Sequence, residues 1–377
     1  MKILYVTTIS NTLNSFLVPH IDELKKAGHT VDIACKLEQP LSQELINNTR
    51  EFFELQFNRS LIKNDFVALI QQVRQLVRQE EYDIVHTHTP IASAVVRLAC
   101  RGLENTKVFY TAHGFHFLKG GPLLNWLLYY PIEKILSRYT DTLITINIED
   151  YTIAQNKFRM KHLQLLPGVG IDLEKFYPAS AEEKKIVRQK LGLEQDKRYL
   201  ICIGELNANK NQQILVNMME SLCRQRNDAI LLIVGSGPFE SKLKQLVKEK
   251  KLGKNILFFG YRKDIPDLLK ASDIALSSSK REGLPVNIIE SMATGLPIIV
   301  TDCRGNRDLV TDGVNGYRIL SMNLDTFVNK INYLMNNREE YIKFSKQSRV
   351  LSNKYSKDNI CKELLKFYVK KNTSKLF

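Results

Sequence analysis

The chain has 377 residues, 44% of them hydrophobic and 25% charged. This is ordinary globular composition, and it excludes a disordered, collagenous or membrane-spanning polypeptide. Lysine and arginine number 54 against 40 aspartates and glutamates, a formal charge of +14. Such a balance points to an anionic partner: nucleic acid, an anionic membrane face or a phosphorylated substrate.

The N-terminus opens directly as a strand, residues 3–8 (ILYVTT). Asn11, Asn14 and His20 interrupt the next stretch, so no signal-peptide core is expected. Further buried strands are predicted at 30–34, 83–87, 107–112 and 142–146. Helical spacing occupies 14–27, 61–79, 91–101 and 123–138 between them. The apolar stretch Leu123 to Leu136 contains Asn125, Glu133 and Lys134, and is too short and too charged to span a bilayer. The short segment Pro167-Gly168-Val169-Gly170-Ile171-Asp172 reads as a hinge.

The pattern then restarts. Strands are predicted at 198–204, 229–234, 255–259, 273–277 and 298–301, with helices at 211–225, 238–250, 264–271, 286–294 and 324–336. Strands alternating with helices argue for parallel sheets covered on both faces. The expected architecture is α/β: two doubly wound Rossmann-like domains facing each other across a cleft, with ligands at the carboxyl ends of the strands. The domains are set at 1–170 and 171–355. A basic C-terminal helix, 356–377, is expected to pack back on the N-terminal domain. From Lys343 to Phe377 there are ten lysines and arginines and two acids. That bias reads first as a solvated helical face. Six cysteines, at 35, 100, 202, 223, 303 and 361, form no CxxC pair and read as free thiols.

The richest stretch is Arg281-Glu282-Gly283-Leu284-Pro285-Val286-Asn287-Ile288-Ile289-Glu290, after the strand ending near Ser277. Gly283 permits close backbone approach, and Pro285 suits the first turn of a helix. Free amides at that helix start would hold a phosphate. Glu290, just over one turn further in, would accept hydrogen bonds from a ribose diol.

Glu282 and Glu290, in the context EGLPVNIIESMATGLPII, resemble the E-x7-E motif of retaining glycosyltransferases of family 4 with the GT-B fold. The resemblance extends over nearly the whole chain, through DIVHTHTP, TAHGFHF, the GVGID linker and the GSGP turn. The nearest type is that of the capsular and exopolysaccharide glycosyltransferases. It implies an acceptor-binding N-terminal domain and a C-terminal domain for a nucleotide-sugar. It also implies that Glu290 holds the ribose, that Glu282 lies near the transferred sugar, and that the Gly283 and Leu284 amides approach the diphosphate. Lys210, in Gly204-Glu205-Leu206-Asn207-Ala208-Asn209-Lys210, matches the family's cation on the diphosphate. Many relatives carry arginine directly after that glycine, where this chain has Glu205, so Arg281 or Arg262 stands as the substitute. Gly260-Tyr261-Arg262 matches the segment along the base, and Gly235 belongs to the GSGP turn. His113, before Gly114, matches the family's active-site histidine on the sugar.

A lysine and a helix terminus aimed at a departing nucleoside diphosphate stabilise its growing charge. The chain has no Asp-x-Asp metal motif, so no metal or other cofactor is expected. His86 and His88 alternate on a strand, and His113 and His116 follow the next. HxH with HxxH is a candidate zinc set, but no cysteine lies close, and hydrogen-bonded histidines at sheet ends are preferred. The segment from Leu118 to Tyr130 joins a glycine pair to apolar and aromatic residues, including the single tryptophan, Trp126. Core packing is its default role, and lipid contact is the functional one.

The leading expectation is therefore a retaining glycosyltransferase. It would move a sugar, an N-acetylhexosamine or its 6-deoxy form, from a UDP-sugar to a polyprenyl-diphosphate-linked saccharide in capsule or exopolysaccharide synthesis. It would be cytoplasmic, peripheral to the inner membrane face, and would bind no nucleic acid. The competing readings are a UDP-N-acetylglucosamine 2-epimerase-like enzyme, a basic nucleic-acid-binding protein and a metallohydrolase built on the four histidines.

Overall fold

The computed structural model describes residues 1–58, 65–118, 120–320 and 323–369. The chain divides into two compact units. The first is Met1–Gly170 with the C-terminal helix Lys357–Tyr368, and the second is Ile171–Ser356.

The first unit is built on seven parallel strands: β1 (Lys2–Ile9), β2 (Thr30–Lys36), β3 (Phe52–Glu54), β4 (Ile84–His88), β5 (Lys107–Ala112), β6 (Thr142–Thr145) and β7 (His162–Leu165). Their order is β3-β2-β1-β4-β5-β6-β7. The second unit repeats the plan with β8 (Arg198–Ile203), β9 (Ala229–Val234), β10 (Ile256–Gly260), β11 (Ile274–Ser277), β12 (Ile298–Thr301) and β13 (Gly316–Ile319). Their order is β10-β9-β8-β11-β12-β13. Both sheets reverse direction next to their first strand, between β1 and β4 and between β8 and β11. In doubly wound sheets that switch point is where ligands bind, outside the carboxyl ends of the strands.

Central strands such as β1 and β9 are largely apolar because helices cover both faces, whereas β4, in the middle of the first sheet, ends in the buried polar residues His86, Thr87 and His88. All six residues of β9, AILLIV, are buried, and so are seven of the eight residues of β1. The strands unforeseen in the sequence are β3, β7 and β13. All three are edge strands, and β3 and β7 have partly exposed patterns, FFE and HLQL, which carry little of the apolar signal of a buried strand. The helix Ile148–Lys157 was also unforeseen, because only Asp150 and Ala154 of its polar sequence are buried. The predicted helix at 14–27 is interrupted: a π-turn at Leu13–Leu17 precedes an α-helix at Val18–Lys26, with a proline in its first turn. The predicted helix at 61–79 is observed from Phe66 to Glu80, and its first four residues lie outside the described residues.

The C-terminal helix buries Ile360, Cys361, Leu364 and Tyr368. Ile360, Leu364 and Tyr368 join one core with Ile3, Tyr5, Leu17, Ile21 and Ile33 of the first unit. Tyr368 anchors it further: its hydroxyl pairs with Tyr5 Oη at 2.9 Å and with His86 Nδ1. Residues 370–377, part of the predicted basic tail, lie outside the described residues. The six cysteines are free, and five of them are buried.

Candidate active site

In the second unit, two loops meet at the switch point. One follows β8 and runs from Gly204 to Lys210. The other follows β11 and runs from Ser278 to Pro285. Asn207 shapes the first: its side-chain oxygen accepts the amides of Asn209 (3.0 Å) and Lys210 (2.9 Å), folding the chain back on itself. Three bonds then join the loops. Ser278 Oγ donates to the Lys210 carbonyl (2.8 Å), the Lys280 amide to the Asn209 carbonyl (2.8 Å), and Asn209 Nδ2 to the Arg281 carbonyl (3.1 Å). The Lys210 side chain lies across Gly204, and its ammonium meets Glu282 Oε1 at 2.6 Å. Both side chains are mostly buried, at 23% and 11% exposure, so the pair is held in a partly desolvated place where its charges act strongly.

Gly283 and Leu284 lead into the helix Val286–Ala293. No acceptor among the described residues takes the amides of Gly283, Leu284, Val286 or Asn287. Pro285 heads the helix without a side-chain cap, which leaves those donors for an anion. Asn287 Nδ2 donates to the Ile203 carbonyl at 2.7 Å and ties the helix to the end of β8. Glu290 sits one turn further in. Burial pushes its carboxyl up to about 7, partly offset by Lys175, and no donor among the described residues reaches it.

Gly235 and Gly237 hold the turn after β9 against the loop after β8. A Cβ on Gly235 would lie 2.1 Å from the Gly204 carbonyl oxygen, and one on Gly237 2.5 Å from that of Leu206. Gly235 thus shapes the Gly204 loop. Arg262 lies beyond β10, two strands from β8, and is paired with Asp264. Arg281 enters the site through its carbonyl. The structure therefore brings together Gly204, Lys210, Arg281, Glu282, Gly283 and Leu284, with Glu290 on the adjoining helix. It sets Arg262 to one side.

In the first unit, a row of histidines stands at the carboxyl ends of β4 and β5. Buried His86 is satisfied by Tyr368 Oη and by Thr111 Oγ1 (2.8 Å). His86 and His88 stack at 4.3 Å, and His88 Nδ1 meets His113 Nε2 at 3.0 Å. Burial drives the imidazole of His88 well below its ordinary value and that of His113 to about 4, so both rings are neutral at pH 7. One proton is shared between the two facing nitrogens. His88 Nε2 is buried without a partner among the described residues. A buried bare acceptor costs less than a buried bare N–H, which places the His88 proton on Nδ1. His113 then accepts at Nε2 and carries its own proton on Nδ1, the nitrogen left for a ligand. The loop behind it is fixed from the helix Ile148–Lys157: Asp150 Oδ2 accepts the Phe115 amide (3.0 Å) and Asn147 Nδ2 (2.9 Å). His116 stacks on Tyr129 at 4.7 Å. Among the described residues no group of three or more His, Cys, Asp or Glu side chains has the geometry to hold a metal ion.

Two family models match the chain: Glycosyl transferase 4-like over residues 2–147 and Glycosyl transferases group 1 over residues 183–350. A Bacillus subtilis (strain 168) protein named as a glycosyltransferase, EpsD, is 36% identical over 370 residues, 97% of this chain and 96% of that one. The chain belongs to the GT4 glycosyltransferases, of the EpsD type. An Escherichia coli UDP-Gal:alpha-D-GlcNAc-diphosphoundecaprenol alpha-1,3-galactosyltransferase is 33% identical over 309 residues, 80% of this chain and 79% of that one. Among solved structures, Anabaena Alr3699/HepE in complex with UDP aligns with a TM-score of 0.79 at 19% identity, over 98% of this chain and 99% of that one. That likeness identifies the fold as GT-B.

Several residues that organise the site of this glycosyltransferase were not legible in its sequence. Arg304, 3% exposed, donates from Nε to the Glu282 carbonyl at 2.8 Å. Gly305, at φ +81°, brings its backbone against Gly283, where a Cβ would fall 2.6 Å from the carbonyl oxygen. Thr301 Oγ1 donates to the Ser279 carbonyl at 2.5 Å. All three come from β12 and its following turn, the next strand in space. The Arg-Gly dipeptide after a strand was the one local signal available.

Proposed function

We propose that this glycosyltransferase retains anomeric configuration and moves a sugar, an N-acetylhexosamine or a related hexose, from a UDP-sugar to a polyprenyl-diphosphate-linked saccharide in capsule or exopolysaccharide synthesis. The observation that carries this reading is the Lys210–Glu282 pair at the β8–β11 switch point, beside the free amides of Gly283 and Leu284.

In this reading the diphosphate lies on those amides and draws Lys210 into its own charge. The growing negative charge on the leaving group is met by a cation and by backbone dipoles already in place. Glu282, released from part of its hold on Lys210, accepts a hydroxyl of the transferred sugar. Glu290 takes the ribose diol, which supplies the donors that its carboxylate lacks. His113 offers its Nδ1–H to a sugar oxygen. Arg304 and Gly305 act as positioning residues for the Glu282–Gly283 loop. No step calls for a metal. The relatives support the substrates: the Escherichia coli enzyme is named for UDP-Gal and a diphosphoundecaprenol acceptor, and the Anabaena structure was solved with UDP. Among the described residues no helix is long and apolar enough to cross a membrane, which fits a peripheral place at the cytoplasmic face.

Calorimetric titration of UDP, GDP and ADP in EDTA tests the donor. UDP binds selectively to the wild type and is much weakened in Glu290→Ala. Absence of nucleotide binding by the folded wild type would remove the donor site. Transfer is then assayed with UDP-sugars and a polyprenyl-diphosphate saccharide, the anomeric product being read by NMR.

A further inference from the structure

The first unit contains a cavity of about 760 Å³ that none of the chemistry above uses. That volume falls within the range of pockets that enclose a drug-sized ligand. It lies under the helix Leu123–Leu136, against the helix Pro90–Ala99. Ile91, Ala94, Phe115, Phe117, Ile132 and Leu136 give it apolar walls. Its one carboxylate, Glu133, is neutralised by buried Arg97 at 2.8 Å, and Arg97 stacks on Tyr110 at 4.5 Å.

The two ends of the cavity differ. One is polar, bordered by Thr8, Thr12, Thr89, Gly114 and His116 at the carboxyl ends of β1, β4 and β5. The Thr8 and Thr89 hydroxyls pair there at 2.7 Å. The other end is bordered by Leu98, Ile132 and Ile135, which are also exposed at the surface, at 37%, 47% and 55%. From these residues an apolar surface continues along the same helix through Leu123, Leu124, Leu127 and Leu128, which are 53–80% exposed. Exposed Arg101, Lys134 and Arg138 stand in the same helices or just after them. Contiguous exposed leucines of this kind on a helix mark a binding surface, and basic neighbours suit an anionic lipid face.

We infer that this cavity holds the first isoprenoid units of the lipid carrying the acceptor. The head group lies at the polar rim beside Gly114, and the rest of the chain leaves between Leu98 and Ile132 into the bilayer on which the exposed leucines rest. The continuity decides the occupant: the cavity joins the ligand-binding end of the sheet to an apolar outer face, which is the path of a molecule polar at one end and hydrocarbon at the other. A sugar alone leaves these walls unused. The inference rests on the lipid-linked acceptor of the proposed function.

Farnesyl diphosphate and inorganic diphosphate are the probes, titrated into the full chain. Each methylene withdrawn from water is worth roughly a fourfold gain in affinity, so the farnesyl compound binds at least about thirty-fold more tightly than diphosphate. Ala94→Trp fills the cavity from a half-buried helical position and reduces that preference to less than about fivefold. Ile132→Asp places a charge at the mouth, on an exposed position that leaves folding intact, and does the same. UDP affinity is unchanged in both variants. Equal binding of the two probes by the wild type overturns the inference, as does an undiminished preference in both variants. Transfer assays separate this from the acceptor reading. Turnover of a polyprenyl-diphosphate saccharide by an enzyme that shows no farnesyl preference sinks the cavity assignment and leaves the acceptor standing. A wild-type farnesyl preference that both variants abolish, with no turnover of any prenyl-linked saccharide by the wild type, overturns the acceptor reading and leaves the prenyl site standing.

Discussion

Replacing Glu290 by glutamine separates what its carboxylate does for stability from what it does for binding. Burial raises this carboxyl from an ordinary 4.5 to about 7, with no donor to compensate. An acid with a raised folded value favours the protonated native state. Its contribution is fully present below pH 4.5 and is lost as pH rises through 7. At 1.36 kcal/mol for each unit, the shift costs about 3 kcal/mol at pH 8. Glu290→Gln removes the ionisation and keeps the shape. The variant is therefore more stable than the wild type at pH 8 by up to about 3 kcal/mol, and nearly equal to it at pH 4.5. For a unit of this size, 1 kcal/mol moves the melting temperature by roughly 2–4 °C, so the gap at pH 8 is on the order of 6–12 °C. Differential scanning calorimetry of both proteins between pH 4.5 and 8 measures it. Nucleotide binding moves the opposite way. Ribose hydroxyls donate to the ionised form, so wild-type UDP affinity falls about tenfold from pH 8 to pH 6, and that of Glu290→Gln is weaker and flat. Parallel melting curves for the two proteins across this range would refute the desolvation argument. A pH-independent wild-type affinity would refute the ribose assignment.

Lys210→Ala lowers the transfer rate by about a hundredfold, or ~3 kcal/mol, by removing the cation from the leaving diphosphate; added Mg2+ does not restore it, as steady-state kinetics in EDTA and in Mg2+ will show. His113→Ala leaves calorimetric UDP affinity within twofold of the wild type while transfer falls. Because the His113 imidazole lies at about 4, its removal introduces no change in the pH profile between 6 and 8. Gly305→Ala forces the Gly283 carbonyl to move and strains a residue at φ +81°. It weakens UDP binding severalfold and lowers the melting temperature, whereas Gly313→Ala, at φ +72° with open space around it, affects stability alone.

Much of this was readable along the chain because it depends on neighbours in sequence. The apolar strands β1, β5, β8 and β9 announce themselves since burial on both faces favours runs of large side chains. The segment from Glu282 to Glu290 is legible for the same reason: loop, proline and helix start are contiguous, and their chemistry comes from one stretch of ten residues. The edge strands β3 and β7 were missed because one side of an edge needs no apolar residue. The interruption at Leu13–Leu17 was missed because its side chains keep helical spacing even where the backbone does not.

The order of residues alone determined the doubling of the α/β pattern, the family and the candidate donor residues Lys210, Glu282 and Glu290, because each is set by local spacing and residue type. Only the tertiary structure decided which charges meet. Lys210 and Glu282 are 72 positions apart and become partners because β8 and β11 are neighbours at the switch point. Arg304 and Gly305 reach the same loop from β12, and Tyr368 reaches His86 from the far end of the chain. The apolar cavity under Leu123–Leu136 is likewise a product of packing. A helix rich in leucine reads as core until its neighbours in space are known, and here they leave one of its faces uncovered.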